Sequence, residues 1–411
     1  MVAYHFPPLR GSSGIQRTLR FCRYLPEFGW TPLVLTTGER AYEDVDDASR
    51  AEIPSGLVVR RAFALNAARD LSINDRFPDL LAAPDRWSSW LLTGVAGGLA
   101  MIRKFRPRAL FSTYPIATAH LIGLALHRLT SLPWIADFRD PMAQQGYPAD
   151  PRIWRSFRWI ERRALAGARR SLFTSPGAIR DYRATYPEIP AERFVLLANG
   201  FDEEAFAGIG RTNAALTAGT GAPLVILHSG IVYPSERDPT QFFGALGALK
   251  RTGALSAADV EFRFRASAND DLLNSLAERE GVTDLVSIRP AIPYREALAE
   301  MVNADGLLLM QAANCNSQIP AKAYEYIRAN RPILALTDAA GDTADLMRRA
   351  GVASIAPLDS AATLEGAIPR FVESLRAGHA RPVDTAFVAT CSRRARTKLL
   401  ADVLSDCIPG R

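Results

Sequence analysis

Short apolar runs alternate with longer amphipathic stretches along this chain, and that alternation predicts its architecture. Val2–Phe6 and Leu33–Thr36 are apolar runs of strand length. Between them lie a glycine-bearing turn, Pro7-Pro-Leu-Arg-Gly-Ser-Ser-Gly14, and a helical stretch from Ile15 to Phe28. Strand, turn, helix and strand form a βαβ unit, which implies a parallel sheet. The alternation continues with strands in Ala109–Pro115, Pro133–Pro141, Ser171–Ser175 and Phe194–Asp202, and with helices over 87–108 and 152–170. A buried first strand usually begins a few residues before Val2, so the natural chain is expected to start further upstream.

Residues 207–222 are rich in Gly, Ala, Thr and Asn and read as a linker. The pattern then restarts with Leu224–Gly230, a helix over 239–251, and strands near 260–266, 285–288, 306–310 and 333–337. The expected organisation is an N-terminal α/β domain (1–206), the linker, a second α/β domain (223–385), and a closing segment (386–411). The helix Phe387–Cys407 in that last segment is expected to pack back across the junction.

Ser317–Thr337 organises the second half. Ser317 is a candidate N-cap and Pro320 suits a first helical turn. Pro332 disfavours helical geometry at Arg331, so the helix is expected to stop near Asn330, before a buried strand at Ile333–Leu336. Lys322 lies in the first turn, where free amides and the helix dipole favour an anion such as phosphate. Glu325 follows on the same face, placed to accept hydrogen bonds from ribose hydroxyls. A surface Lys–Glu pair is the competing reading of that helix.

Composition narrows the class. The chain is 48% hydrophobic and 22% charged, with 49 basic and 43 acidic residues for a net charge of +6. That balance mildly favours a phosphorylated ligand or an anionic surface, and no nucleic-acid-binding signature accompanies it. Cys22, Cys315, Cys391 and Cys407 are scattered, as are the five His residues, so reduced thiols in a cytoplasmic protein and no metal site are expected. The longest uncharged run at helical periodicity, Trp87–Ile102, is shorter than the roughly 20 residues of a membrane span.

Other candidate chemistry sits at strand ends. Pro133-Trp-Ile-Ala-Asp-Phe-Arg-Asp-Pro141 ends in a polar cluster, and open α/β sheets place ligand groups there. Asp137 and Arg139 share a face if the strand extends that far, with a structural ion pair as the alternative. Gly11 and Gly14 suit either a loop approached closely by a ligand or a plain tight turn. That turn lacks the full dinucleotide fingerprint. The D-x-D triplet within Glu43–Asp47 reads as a solvated acidic loop. The basic stretch Ile102–Arg108 and the helix carrying Arg155, Arg158 and Arg162 offer contact with an anionic membrane, or are ordinary packed helices.

Taken in order, Phe6-Pro-Pro…Gly14, Asp137-Phe-Arg-Asp-Pro141, Asn199-Gly-Phe-Asp202, Gly230…Arg237-Asp-Pro239, Ile319-Pro-Ala-Lys-Ala-Tyr-Glu-Tyr326 and Arg331-Pro-Ile-Leu334 resemble the retaining glycosyltransferases of family 4. The resemblance spans nearly the whole chain. It implies the GT-B fold, with two Rossmann-like domains facing a central cleft, a nucleotide diphosphate sugar bound by the C-terminal domain, and a glycan or lipid-linked acceptor bound by the N-terminal one. It places Glu325 near the ribose and Arg237 on the diphosphate, beside Gly230, Ser317 and Lys322, with no metal. Arg139 joins Arg237, Lys322 and Glu325 as a catalytic candidate, and Gly11, Gly14, Asp137, Arg139 and Asp140 are candidates for the acceptor or cleft side. Ser317 stands where the family has the first Glu of its E-x7-E pair. Ile231 replaces a common Arg, and Arg139 a frequent His. A sugar-nucleotide epimerase or phosphorylase of the same fold, or a degenerate binding partner, are the alternatives.

Overall fold

The apolar runs become the strands of two parallel sheets in a computed structural model that describes residues 1–10, 13–71, 83–144, 146–211, 221–379 and 383–408. One compact unit comprises Met1–Asn199 and Arg393–Arg411, the other Gly200–Ser392.

In the first unit β1 (Val2–Ala3), β2 (Leu33–Thr37), β3 (Val58–Ala62), β4 (Leu110–Thr113), β5 (Trp134–Arg139), β6 (Arg170–Phe173) and β7 (Phe194–Leu196) lie in the order β3-β2-β1-β4-β5-β6-β7. In the second, β8 (Leu224–Ser229), β9 (Val260–Arg265), β10 (Val286–Arg289), β11 (Gly306–Gln311), β12 (Ile333–Thr337) and β13 (Ile355–Ala356) lie in the order β10-β9-β8-β11-β12-β13. Each sheet therefore reverses direction of strand progression beside its first strand, between β1 and β4 and between β8 and β11. Open α/β sheets bind ligands beyond the carboxyl ends of the strands at that reversal.

Burial explains the strand sequences. β11 and β12 are buried at every position, as central parallel strands covered on both faces must be. Toward the sheet margin β9 alternates, burying Val260, Phe262 and Phe264. Its outward Arg263 and Arg265 pair with Glu300, and Arg263 also with Glu261. The uncharged run after Trp87 forms the helix Trp90–Phe105, whose Gly94 and Gly98 admit Ile122 and Leu126 of the helix Ala117–Thr130. A Cβ at either glycine would come within 2.6 Å of a neighbouring methyl.

Several expectations need correction. β1 ends at Ala3, and Tyr4 and Phe6 are buried in the turn beyond it. β3 escaped prediction because its paired arginines interrupt the apolar pattern, and β13 because it is two residues long. The units divide at Asn199/Gly200, ahead of the expected position 206, because Phe201 and Phe206 are buried in the second unit under Arg328. Of the segment 207–222, residues 212–220 lie outside the described residues. The closing helix is two helices, Thr385–Thr390 and Arg393–Asp406, broken where the Cys391 carbonyl accepts from Phe201 N at 3.2 Å. The second of these returns to the first unit, burying Leu400, Ala401, Leu404 and Cys407 against Phe21, Leu25 and Phe111.

Ser317 is no helix cap. The helix spans Lys322–Ala329 with Ala321 at its N-cap position. The residues before it are held by other loops: Gln318 N bonds the Cys315 carbonyl and Thr343 Oγ1 bonds the Gln318 carbonyl. The predicted stop is observed, since Asn330 closes the helix in the left-handed conformation at φ 54°.

Candidate functional site

The strand β8 delivers His228, Ser229 and Gly230 to the reversal point of the second sheet. His228 is fully buried, and its Nδ1 lies 2.9 Å from the Leu308 carbonyl. A carbonyl can only accept, so Nδ1 carries the proton and Nε2 presents a lone pair. Burial first, and the Lys322 charge second, hold the ring pKa far below its ordinary value, which keeps it neutral. The Lys322 ammonium, 3.1 Å from Nε2, donates to that lone pair.

Gly230 adopts φ +108°, open to glycine and strained for other residues. A Cβ there would meet Lys322 Nζ at 3.1 Å, so the glycine makes room for the ammonium above the strand end. Ser229 N bonds the buried Tyr326 hydroxyl at 2.8 Å, tying the loop to the helix that carries Lys322.

Arg237 approaches from the following loop. It is 8% exposed, stacks on Tyr233 at 5.1 Å, and its Nη1 donates to the Ile231 carbonyl at 2.7 Å. Its Nε is buried without a hydrogen-bond partner. Burial lowers its pKa. Burial first, then the Arg237 charge, depress that of Lys322 well below the usual lysine range, while Glu325 raises it. Two cations thus converge at a strand end where the Arg237 charge disfavours that of Lys322, an arrangement that an anion relieves.

Lys322 and Glu325 share a helix face, but they turn to different partners. Glu325 Oε1 accepts from the Tyr294 hydroxyl at 2.8 Å. Gly230, Arg237 and Lys322 are therefore brought together with Glu325 one turn below. Ser317 stands in the loop ahead of the helix. Sequence reasoning missed His228, Tyr294 and Tyr326. A polar His-Ser pair closing an apolar strand was a usable signal for the first, whereas nothing local marks the tyrosines.

In the first unit the polar cluster after β5 divides. Asp137 is fully buried in a two-toothed ion pair with Arg17, at 3.0 Å and 2.9 Å, and also accepts from Thr113 at 2.9 Å. Arg17 further bonds the Leu197 carbonyl at 2.9 Å. Asp137, a candidate for the acceptor or cleft side, thus has both carboxylate oxygens engaged by Arg17 and Thr113. A register shift between Asp137 and Arg139, with Arg139 at φ 59°, turns the latter elsewhere. Its guanidinium crowds Gly14 near the start of the helix Ser13–Tyr24 and bonds the Tyr114 carbonyl at 3.2 Å. Asp140 is exposed, and Gly11 lies outside the described residues.

Behind this loop, the buried Glu161 Oε1 accepts from Met142 N and Ala143 N, each at 3.0 Å, and from the Tyr182 hydroxyl, while Oε2 accepts from Tyr186 at 2.8 Å. The acidic run near position 45 is occupied locally: Asp44 pairs with Arg10 at 3.6 Å and Asp46 caps a short helix. Among the described residues no three His, Cys, Asp or Glu side chains gather as metal ligands, and no helix is long and apolar enough to cross a membrane.

Residues 13–200 match the family described as glycosyl transferase 4-like domain. No curated protein sequence matches the chain. Among solved structures, a glycosyltransferase from Rickettsia africae is similar at TM-score 0.67 and 11% identity, covering 100% of this chain and 99% of that one. HepE from Anabaena, in complex with UDP, is similar at TM-score 0.67 and 13% identity, covering 98% of both chains. WaaG, a glycosyltransferase involved in lipopolysaccharide biosynthesis, is similar at TM-score 0.62 and 15% identity, covering 98% of this chain and 100% of that one. At such identities the likeness is one of fold.

Proposed function

We propose that this chain, a GT-B protein whose residues 13–200 match the glycosyl transferase 4-like family, moves a sugar from a nucleotide diphosphate sugar to a glycan or lipid-linked acceptor with retention of configuration. The observation that carries the reading is the convergence of Lys322 on Gly230 and of Arg237 on the adjoining Ile231 carbonyl at the strand reversal. A nucleoside diphosphate leaving group gains negative charge as its bond to the sugar breaks. Fixed cations in a site with little water favour that charge without reorganising. Glu325, one turn along the helix, is placed for ribose hydroxyls, with Tyr294 orienting its carboxylate. Lys322 and Arg237 neutralise the leaving diphosphate in this reading, which invokes no metal cofactor.

The donor belongs to the second unit and the acceptor to the first. HepE supports a nucleotide ligand for such a fold, since it is described with UDP, and WaaG supports a role in cell-surface polysaccharide assembly. We further assign the protein to the cytoplasmic side of an anionic membrane, touched peripherally. The helix Pro151–Gly167 supports this with its row of arginines and Trp159, which is 51% exposed.

The test is turnover of nucleotide sugars with saccharide and lipid-linked acceptors, followed by nuclear magnetic resonance of the new anomeric centre. Transfer with retained configuration is expected. Donor isomerisation or phosphorolysis without an acceptor would instead support an epimerase or phosphorylase on this fold.

A further inference from the structure

At the strand reversal of the first sheet, three segments meet: the turn after β1 brings His5, the turn after β4 brings the Tyr114 carbonyl, and the end of β5 brings Arg139. Arg139 is 8% exposed, and its Nε is buried with no hydrogen-bond partner. No carboxylate pairs with it among the described residues, because the nearby buried acid, Asp137, is taken by Arg17. Its backbone is held in the left-handed region at φ 59°, a conformation that persists where surroundings impose it.

Two features of the surroundings favour negative charge. The guanidinium lies against Gly14, in the first turn of the helix Ser13–Tyr24, which has no acidic residue there. Helix starts favour anions. His5 Nδ1 would lie 2.7 Å from a Cβ at position 14, so it borders the same space. Burial first, and Arg139 second, push the His5 pKa down to about 3, leaving a neutral ring that adds no competing cation. Two acidic neighbours, the exposed Asp140 first and the buried Asp137 second, partly offset the Arg139 charge, and Asp137 is itself held by Arg17.

We infer that Arg139 is a specificity residue which binds an anionic group, carboxylate or phosphate, carried by the saccharide substrate. The fork of an arginine matches either group with two parallel hydrogen bonds. This deepens the proposed transfer reaction and rests on it, since it names the chemistry of the saccharide.

The test is binding calorimetry on the full chain with glucuronate, glucose 6-phosphate, glucose and UDP, repeated on Arg139→Gln and Gly14→Ala, with UDP binding to Lys322→Ala as a separate control. Glucuronate or glucose 6-phosphate should bind and glucose should not, the first two separating carboxylate from phosphate. Arg139→Gln should weaken the bound acid about tenfold or more, as expected for a lost charge-assisted hydrogen bond. Gly14→Ala, which fills the space without altering charge, should do the same if Arg139→Gln fails to fold. UDP binding should persist in both. Equal binding of glucose and its acids, or acid binding that survives both variants, would overturn the inference. Loss of UDP binding in Arg139→Gln, with no saccharide effect, would also overturn it, by giving the anion to the donor diphosphate. UDP binding unaffected by Lys322→Ala would count against the donor site alone.

Discussion

Lys322 donates to His228 Nε2 across 3.1 Å, although the two residues lie 94 positions apart and the lysine has Glu325 on its own helix face. A neutral imidazole gives the ammonium a hydrogen bond without neutralising it, so the charge stays available to a ligand.

Proton uptake on binding follows from this pair. Burial and Arg237 depress the Lys322 pKa. A bound diphosphate would favour the charged form and raise it, so binding takes up protons and affinity falls as pH rises. Calorimetry in buffers of different ionisation enthalpy, from neutral to mildly alkaline pH, should show the uptake. Identical apparent enthalpies in all buffers would show that Lys322 is already fully charged before the ligand binds.

Gly230→Ala should harm both stability and binding. Its φ of +108° costs a side-chain-bearing residue about 1–3 kcal/mol, and the added Cβ presses on Lys322 Nζ. Denaturant unfolding would measure the first effect and nucleotide titration the second. A variant as stable and as avid as the wild type would contradict the role given to this glycine.

Asp137→Ala is expected to destabilise the first unit by about 3–5 kcal/mol, because Arg17 would be left buried with no countercharge. Urea unfolding followed by tryptophan fluorescence tests this. A near-neutral change would contradict the weight given to this ion pair.

The parallel α/β architecture was legible because buried strands leave apolar runs and covering helices leave amphipathic ones. Two of the edge strands were not: Arg60 and Arg61 disguise β3, and β13 is too short to leave a pattern. Lys322 and Glu325 could be singled out from spacing on one helix. Their partners could not, since His228 and Tyr294 meet them only through the folded sheet. Asp137 shows the same limit: its neighbour in sequence is Arg139, but its ion pair is with Arg17, 120 positions away. A bulge at the end of β5 separates the two neighbours, and short-range periodicity carries no trace of it.

Acid should destabilise the fold through its buried histidines. The His120 pKa is lowered to about 4, chiefly by burial. A depressed folded value means the unfolded state binds the proton more tightly, so the contribution is whole above about pH 6.5 and is lost as pH falls toward 4. His120→Asn should flatten the stability profile over that window in thermal unfolding. An unchanged slope would show that His120 does not titrate on unfolding.

Contact with an anionic membrane, if made through the helix Pro151–Gly167, should depend on salt. Sedimentation with phosphatidylglycerol vesicles at low salt, released at high salt and weakened by Trp159→Ala, is the expected behaviour. Failure to pellet at either salt would exclude the contact.

The most direct measurement is a thermal-shift screen of UDP, GDP, ADP, CMP and dTDP against the wild type and Glu325→Ala. A nucleotide at a hundred times its dissociation constant stabilises its target by about 2.7 kcal/mol, an easily read shift. One nucleoside diphosphate should shift the wild type and lose most of its effect in Glu325→Ala. No shift with any nucleotide would contradict a donor site on the Lys322–Ala329 helix and leave the chain as a non-catalytic partner on a transferase fold.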